Sequence, residues 1–446
     1  MPENLIGLEN MPPLYDPLSC LGKYRWWGWA FLALIAAFFQ GPLFLRQLPG
    51  NPETGGDFFQ DWASVKLWQE GKSPYSHLSL AVEKYLGHQI RDKDGSELIV
   101  IYVQFNAHPP PSLFFAYPFS FLTFSTGMLA WNLALLALLG ISLAVMARLL
   151  DIPVQPWGVF PLVAMALLCG PFRCQVGMGQ WNFLLLFLLV MTWRAFRQKR
   201  SWEAGFWLGT AAAIKLIPGL LVLAWFFPMK WRNLAAFFLT ALGWNLLAGI
   251  CFGFDWLGDY YFRVLPLVRQ FEGSASNISW TGFFAKLFYP EFPEKNPPLW
   301  DALVFGKSLA LACQLTFLGF WLALPACKSS LKEEKHFLLG ILAILLAGPI
   351  TWDHYPVMAL PVFLICWVEL KNNLKLAPLF MLALFLTMVP MGDIQAFLKK
   401  PGMITPMTSP IYDVTLLSLP TYGLTLFFFL SLYPLWEKKA PTESPR

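Results

Sequence analysis

From Trp26 onward the chain repeatedly enters uncharged apolar runs and repeatedly leaves them at short clusters of Lys and Arg, as at Lys23 and Arg25, Arg148, Arg194 to Arg200, Lys230, Lys335 and Lys371. A helix needs about 20 apolar residues to cross the hydrocarbon of a bilayer, and the first run, Trp26 to Leu45, has that length. The pattern therefore predicts an all-α, polytopic integral membrane protein. Composition agrees: 57% of residues are hydrophobic and 13% charged, where a soluble domain carries about 25% charged residues. Mean hydropathy is +0.52. The net charge of +5 lies mostly in the clusters that set orientation in a membrane, which leaves nucleic acid without a binding surface. The seven cysteines, Cys20, Cys169, Cys174, Cys251, Cys313, Cys327 and Cys366, are scattered mostly through apolar runs. They form no disulfide framework and read as small core hydrophobes.

The amino-terminal residues, with Glu3, Glu9, Asp16 and several prolines, do not have the basic start and apolar centre of a cleavable signal. The first run is thus expected to remain as a membrane helix with a cytoplasmic tail, 1–25. With basic clusters inside, residues 46–111 and 253–300 form external loops, and 436–446 a second cytoplasmic tail. Leu113 to Leu122 is expected at the interface and Gly127 to Met146 across the membrane. The stretches between Arg148 and Arg194, Arg200 and Lys230, and Lys335 and Lys371 begin and end on the positive side. Two straight crossings need roughly 40 apolar residues; Ser201 to Phe227 is too short for that and His336 to Leu370 marginal. Both read as re-entrant hairpins of broken half-helices, a form tolerated where protein buries the break or a wet cavity adjoins it. The breaking points are Gly170-Pro171, Gly177 to Gly179, Pro218, Pro349 and Pro356. With the remaining runs this gives roughly twelve membrane segments in one domain spanning 1–446.

Polar motifs fall at the expected hairpin tips and at the start of the first loop. Asp57 and Asp61 follow Gly55-Gly56 and lie four residues apart, so on a helix they share a face and can separate their pKa values, which frees one as a base; a solvated loop or a helix cap would use the same residues. Lys215 stands among apolar residues three before Pro218, suited to a phosphate as a point charge or to snorkelling. Trp352-Asp353-His354 sits inside an apolar hairpin, where Asp353 can bias the imidazole toward its charged form. Gln180 and Asn182 offer amides to sugar hydroxyls or to neighbouring helices. His108 with Pro109 to Pro111 makes a rigid entry to the interfacial segment, and Asn277-Ile278-Ser279 matches a glycosylation triplet. There is no zinc-ligand spacing, phosphate-binding glycine loop or nucleotide-sugar fingerprint in the sequence. A nucleotide-sugar donor is disfavoured, and no metal or cofactor is assigned.

Taken in order, these motifs resemble the polyprenol-phosphate-mannose-dependent mannosyltransferases of glycosyltransferase family 87, in the GT-C superfamily. The resemblance rests on Gly56-Asp57-Phe58 with Ala63 and Gly71 to Tyr75, and on Pro109-Pro110-Pro111 before Tyr117-Pro118. It continues through Gly179-Gln180-Trp181-Asn182, Gly205 to Pro218, Asn277-Ile278-Ser279 and Pro349 to His354. The chain departs from the pattern in a charged insert, Arg91 to Glu97, and in Phe105-Asn106-Ala107-His108, where an aromatic is expected before the prolines. The resemblance implies a GT-C-type bundle in a bacterial inner membrane, its site facing outward. It further implies a polyprenyl-phosphate-linked sugar donor, a lipid or glycan acceptor, and inversion at the sugar carbon. Asp57 would be the general base with Asp61 as fallback; Lys215 and His354 would bind the donor phosphate. Gln180, Asn182, Asp353, Trp352 and Asn277 would contact sugar or acceptor. A transporter or lipid-linked-sugar flippase also uses broken helices with buried charge, and a GT-C transferase for another sugar is the second alternative.

Overall fold

The computed structural model describes residues 24–50, 56–86, 105–226, 228–327, 332–370, 373, 375–401 and 407–436. The amino-terminal tail, the Arg91 to Glu97 insert and the tail beyond Trp436 lie outside the described residues. Within them the chain is all-helical, with a single isolated bridge, Asn277 to Trp352, in place of any strand.

Among the described residues five helices are long and apolar enough to cross a membrane: Trp26–Gln47, Phe124–Leu149, Trp231–Phe252, Leu303–Cys327 and Pro410–Tyr433. Two bent pairs, Pro156–Leu168 with Gly170–Met178 at 71° and Ala377–Thr387 with Met391–Leu398 at 54°, raise the number to seven if each is one span. Trp27, Phe31, Leu34, Phe38 and Phe39 all point outward from the first helix, a surface suited to lipid and costly in water. By length and composition this is a multi-pass membrane protein.

Two shorter helices form the centre. Nearly every residue of Asn182–Arg197 is buried, and so is every residue from His336 to Ala347 in Glu333–Ala347. A helix apolar on all sides belongs inside. Because lipid tails are as apolar as leucine, these helices are held by close packing and polar links. Gly205 and Gly209 lay Ser201–Ile214 directly on Trp231–Phe252: a Cβ at Gly205 would stand 2.5 Å from the Asn233 carbonyl oxygen, and one at Gly209 2.7 Å from that of Phe237. Trp321 Nε1 donates to the His336 carbonyl at 2.8 Å, while His336 Nε2 meets the Trp321 carbonyl at 2.9 Å.

The expected breaks are where the helices end. Gly170-Pro171 begins the second arm of the 71° bend. Gly179 closes Gly170–Met178 in the left-handed region at φ 65°, which glycine enters without steric cost. Lys215 is extended after Ser201–Ile214, and Pro218 then starts a short 3-10 turn, Ile217–Val222. Glu333–Ala347 stops before Gly348-Pro349, and helix resumes only at Tyr355–Ala359. The interruptions at Gly179, at Lys215 and at Gly348-Pro349, the first, second and third breaks, meet in the interior.

Candidate active site

The site is built where those breaks face the first turn of helix Gly56–Gln69. Gly56 lets the chain enter that helix at φ 59°, and a Cβ on it would press the Met178 carbonyl at 3.2 Å. A Cβ on Gly179 would stand 2.6 Å from that of Phe58. Glycines on both sides thus let the helix start close against the Gly179 elbow.

This approach places Asp57 and Asp61 in different surroundings. Asp61 is 1% exposed and its carboxylate is enclosed by partners: Trp181 Nε1 donates to Oδ2 at 2.9 Å, and His108 Nδ1 lies 3.0 Å from the same oxygen. Asn106 Nδ2 at 3.3 Å and Ser112 Oγ at 3.4 Å donate to Oδ1. Asp57 carries one side-chain hydrogen bond, from Gln180 Nε2. The other end of that amide, Oε1, accepts from Lys215 Nζ at 3.2 Å. Lys215 also lies over the Tyr355 ring, 4.2 Å from its centroid, a favourable cation–π placement. Burial pushes the Asp57 carboxyl above the ordinary carboxylate range; His354, the Gln180 hydrogen bond, His108 and Lys215 oppose the shift. Of these two carboxylates, Asp57 is the sparingly bonded one.

His354 enters on the third break. Asp353 Oδ1 is 3.3 Å from its Nδ1, and Nε2 is buried with no hydrogen-bond partner. Cys174, on Gly170–Met178, reaches both: its Sγ is 3.5 Å from Asp353 Oδ1 and 3.8 Å from His354 Nδ1. Cys174, read from the sequence as a small core hydrophobe, thus has polar partners in the structure. Trp352 packs against Phe271, ring centroids 6.3 Å apart.

Asn277 fits the scaffold, and Asn182 does so through its Nδ2 alone, since its buried Oδ1 has no partner. Asn182 Nδ2 donates to Gln175 Oε1 at 2.9 Å and to the His354 carbonyl at 3.4 Å, which ties the first break to the third. Asn277 Nδ2 donates to the carbonyls of Glu272 at 2.9 Å and Pro349 at 3.0 Å. Its Oδ1 accepts from Thr351 N at 3.0 Å, Ser279 N at 3.2 Å and Ser279 Oγ at 2.9 Å. An amide so engaged and 0% exposed has no valence left for a sugar or an attached glycan, because each donor and lone pair is already used. It clamps the second loop to the Thr351 turn, and Ile278 N adds a bond to the Thr351 carbonyl at 2.7 Å.

His108, Trp181, Cys174 and Tyr355 are site residues that the sequence reading did not assign there. The one local signal was the polar pair Asn106 and His108 immediately before the prolines; the partners of the other three lie 120, 179 or 180, and 140 positions away.

Comparison with known proteins follows the same residues. A polyprenol-phosphate-mannose-dependent alpha-(1-2)-phosphatidylinositol pentamannoside mannosyltransferase from Mycolicibacterium smegmatis is 25% identical over 264 residues, covering 58% of this chain and 60% of the relative. The chain thus spans less than two thirds of that relative's length. No solved structure matches. The model of glycosyltransferase family 87 matches residues 106–349, a span that contains His108, Gln180, Asn182, Lys215 and Asn277, with Asp57 and Asp61 before it and His354 just beyond. That span is more than half of the sequence, and the chain belongs to glycosyltransferase family 87.

Proposed function

We propose that the protein is a membrane glycosyltransferase that moves a hexose of the mannose class from a polyprenyl-phosphate donor to a lipid or glycan acceptor on the outer side of the membrane, with inversion. The observation that carries this reading is the Asp57–Gln180–Lys215 chain, a base and a cation held one amide apart beside an imidazole. The bundle is then of GT-C type, and the short buried hairpins count with the long helices toward about twelve membrane segments.

Asp57 takes the proton of the acceptor hydroxyl as its oxygen attacks the anomeric carbon from the face opposite the phosphate. The carbon–oxygen bond to phosphate breaks, and prenyl phosphate leaves with the electron pair. Lys215 and His354 Nε2 neutralise the leaving phosphate, a charge effect strongest in a dry site. Gln180 orients the base, and Trp352 and Asp353 border the sugar. Asp61, already enclosed by donors, organises the loop from Asn106 to Ser112.

Purified protein supplied with polyprenyl-phosphate mannose and an acceptor glycolipid tests the reading. Asp57→Asn keeps the size and removes the base, which lowers turnover by about 10²-fold to 10⁴-fold; Lys215→Ala and His354→Ala weaken donor use. Asp61→Asn places an amide against the Trp181 donor and lowers thermal stability by about 1–3 kcal/mol with a smaller effect on turnover. Full transfer by Asp57→Asn would overturn the assignment of the base.

A further inference from the structure

We propose that Cys174, Asp353 and His354 form a binding site for a zinc-class divalent cation. Their ligand atoms come from two separate segments, and Sγ, one carboxylate oxygen and one imidazole nitrogen all lie within 4.8 Å of one another. The separations are specific: 3.3 Å from Asp353 Oδ1 to His354 Nδ1, 3.5 Å from Cys174 Sγ to Oδ1, and 3.8 Å from Sγ to Nδ1. With bonds of about 2.3 Å to sulfur and about 2.0–2.1 Å to nitrogen and oxygen, tetrahedral coordination sets the edges between ligand atoms at about 3.4–3.6 Å. The three separations in the structure, 3.3, 3.5 and 3.8 Å, bracket that range.

The surroundings favour an ion at this point. The Thr351 turn that precedes the ligands is fixed by the Asn277 amide and by Ile278 N, and the His354 carbonyl is held by Asn182 Nδ2 at 3.4 Å. These bonds fix the backbone that carries Asp353 and His354. His354 is 3% exposed and its Nε2 has no partner, so the ring joins the triangle through Nδ1 and keeps Nε2 for a further ligand. Sulfur and imidazole donors select zinc-class ions over magnesium or calcium, which prefer oxygen. Binding requires the thiolate, so the Cys174 proton is released to solvent as the ion enters. Three protein donors leave one position of the tetrahedron open. Water fills it; on the transferase reading, on which this last point alone rests, a donor phosphate oxygen replaces the water.

The test needs neither donor nor acceptor. Full-length protein in detergent is stripped with a chelator, titrated with Co²⁺ and followed by absorbance, and metal content is measured after Zn²⁺ loading and gel filtration. One ion binds per chain, Co²⁺ produces a thiolate-to-cobalt charge-transfer band, and Zn²⁺ bleaches it. Cys174→Ser abolishes the band, whereas Cys366→Ala, a change in a helix away from the triangle, leaves band and stoichiometry as in the wild type. Absence of the band in the wild-type protein, or its persistence in Cys174→Ser, overturns the site. Sugar transfer is a separate measurement, so either proposal can fail while the other stands.

Discussion

Gln180 keeps Asp57 and Lys215 from forming a direct ion pair. A carboxylate bonded directly to an ammonium loses basicity, since an opposite charge stabilises its ionised form; a neutral amide between them transmits orientation with much less of that loss. The amide has no ambiguity of direction, because Lys215 can only donate to Oε1 and Asp57, when ionised, can only accept from Nε2. A pH dependence follows. Burial is the main influence on Asp57 and raises its pKa, with His354, Gln180, His108 and Lys215 opposing. The base works only when deprotonated, so activity is full above its pKa and falls as pH drops through it. The acidic limb of kcat/KM is therefore expected above the ordinary carboxylate range, and Gln180→Leu, which removes an opposing influence, moves it to higher pH still. A limb that stays in place in that variant would show that the amide does not act on Asp57.

At the scale of elements, broken helices bring chemistry to one point. The break positions were legible from Gly170-Pro171, Pro218 and Pro349 because a proline removes a backbone donor and crowds the preceding turn and a glycine lowers helix stability, although Pro42 and Pro325 lie inside long helices. Asn277 and Asn182 were not legible in the same way. Whether an amide has spare hydrogen-bonding capacity depends on the carbonyls of Pro349 and His354, which distant segments deliver. Cys174, between Arg173 and Gln175, carried no local signal of its partner, because Asp353 lies 179 positions on. The helix pair that carries Lys215 has its own test. Gly205 touches the Asn233 backbone where even a methyl group does not fit, and overpacking typically costs about 1–3 kcal/mol. Gly205→Leu is expected to lower the thermal midpoint in detergent and to reduce turnover by displacing Lys215, while Gly243→Ala, where a Cβ meets nothing within 4 Å, leaves both near wild type.

The described residues are layered, with long helices bearing outward apolar residues around the enclosed Asn182–Arg197 and Glu333–Ala347 helices. If the basic clusters lie on the cytoplasmic side, as positive residues flanking membrane helices do, residues near Arg197 are inside and the second loop is outside. Gln198 is exposed in one and Glu294 in the other. A cysteine at Glu294 is expected to react with an impermeant reagent on intact cells, and one at Gln198 only after permeabilisation; the opposite pattern would reverse the orientation. The layering has a mechanical consequence. When a bilayer thickens or thins, hydrophobic mismatch acts on surfaces in contact with lipid, and helices adjust mainly by tilting. The 22-residue Trp26–Gln47 and 25-residue Leu303–Cys327 helices carry such surfaces, whereas the 16-residue Asn182–Arg197 helix is shielded from it. The outer helices can thus lean with the membrane while the inner frame keeps its dimensions, like a gimbal around a fixed instrument. Reconstituted in bilayers of graded acyl length, the protein is expected to hold its turnover nearly constant while the affinity for the donor, whose own tail lies in the changing lipid, drifts with thickness.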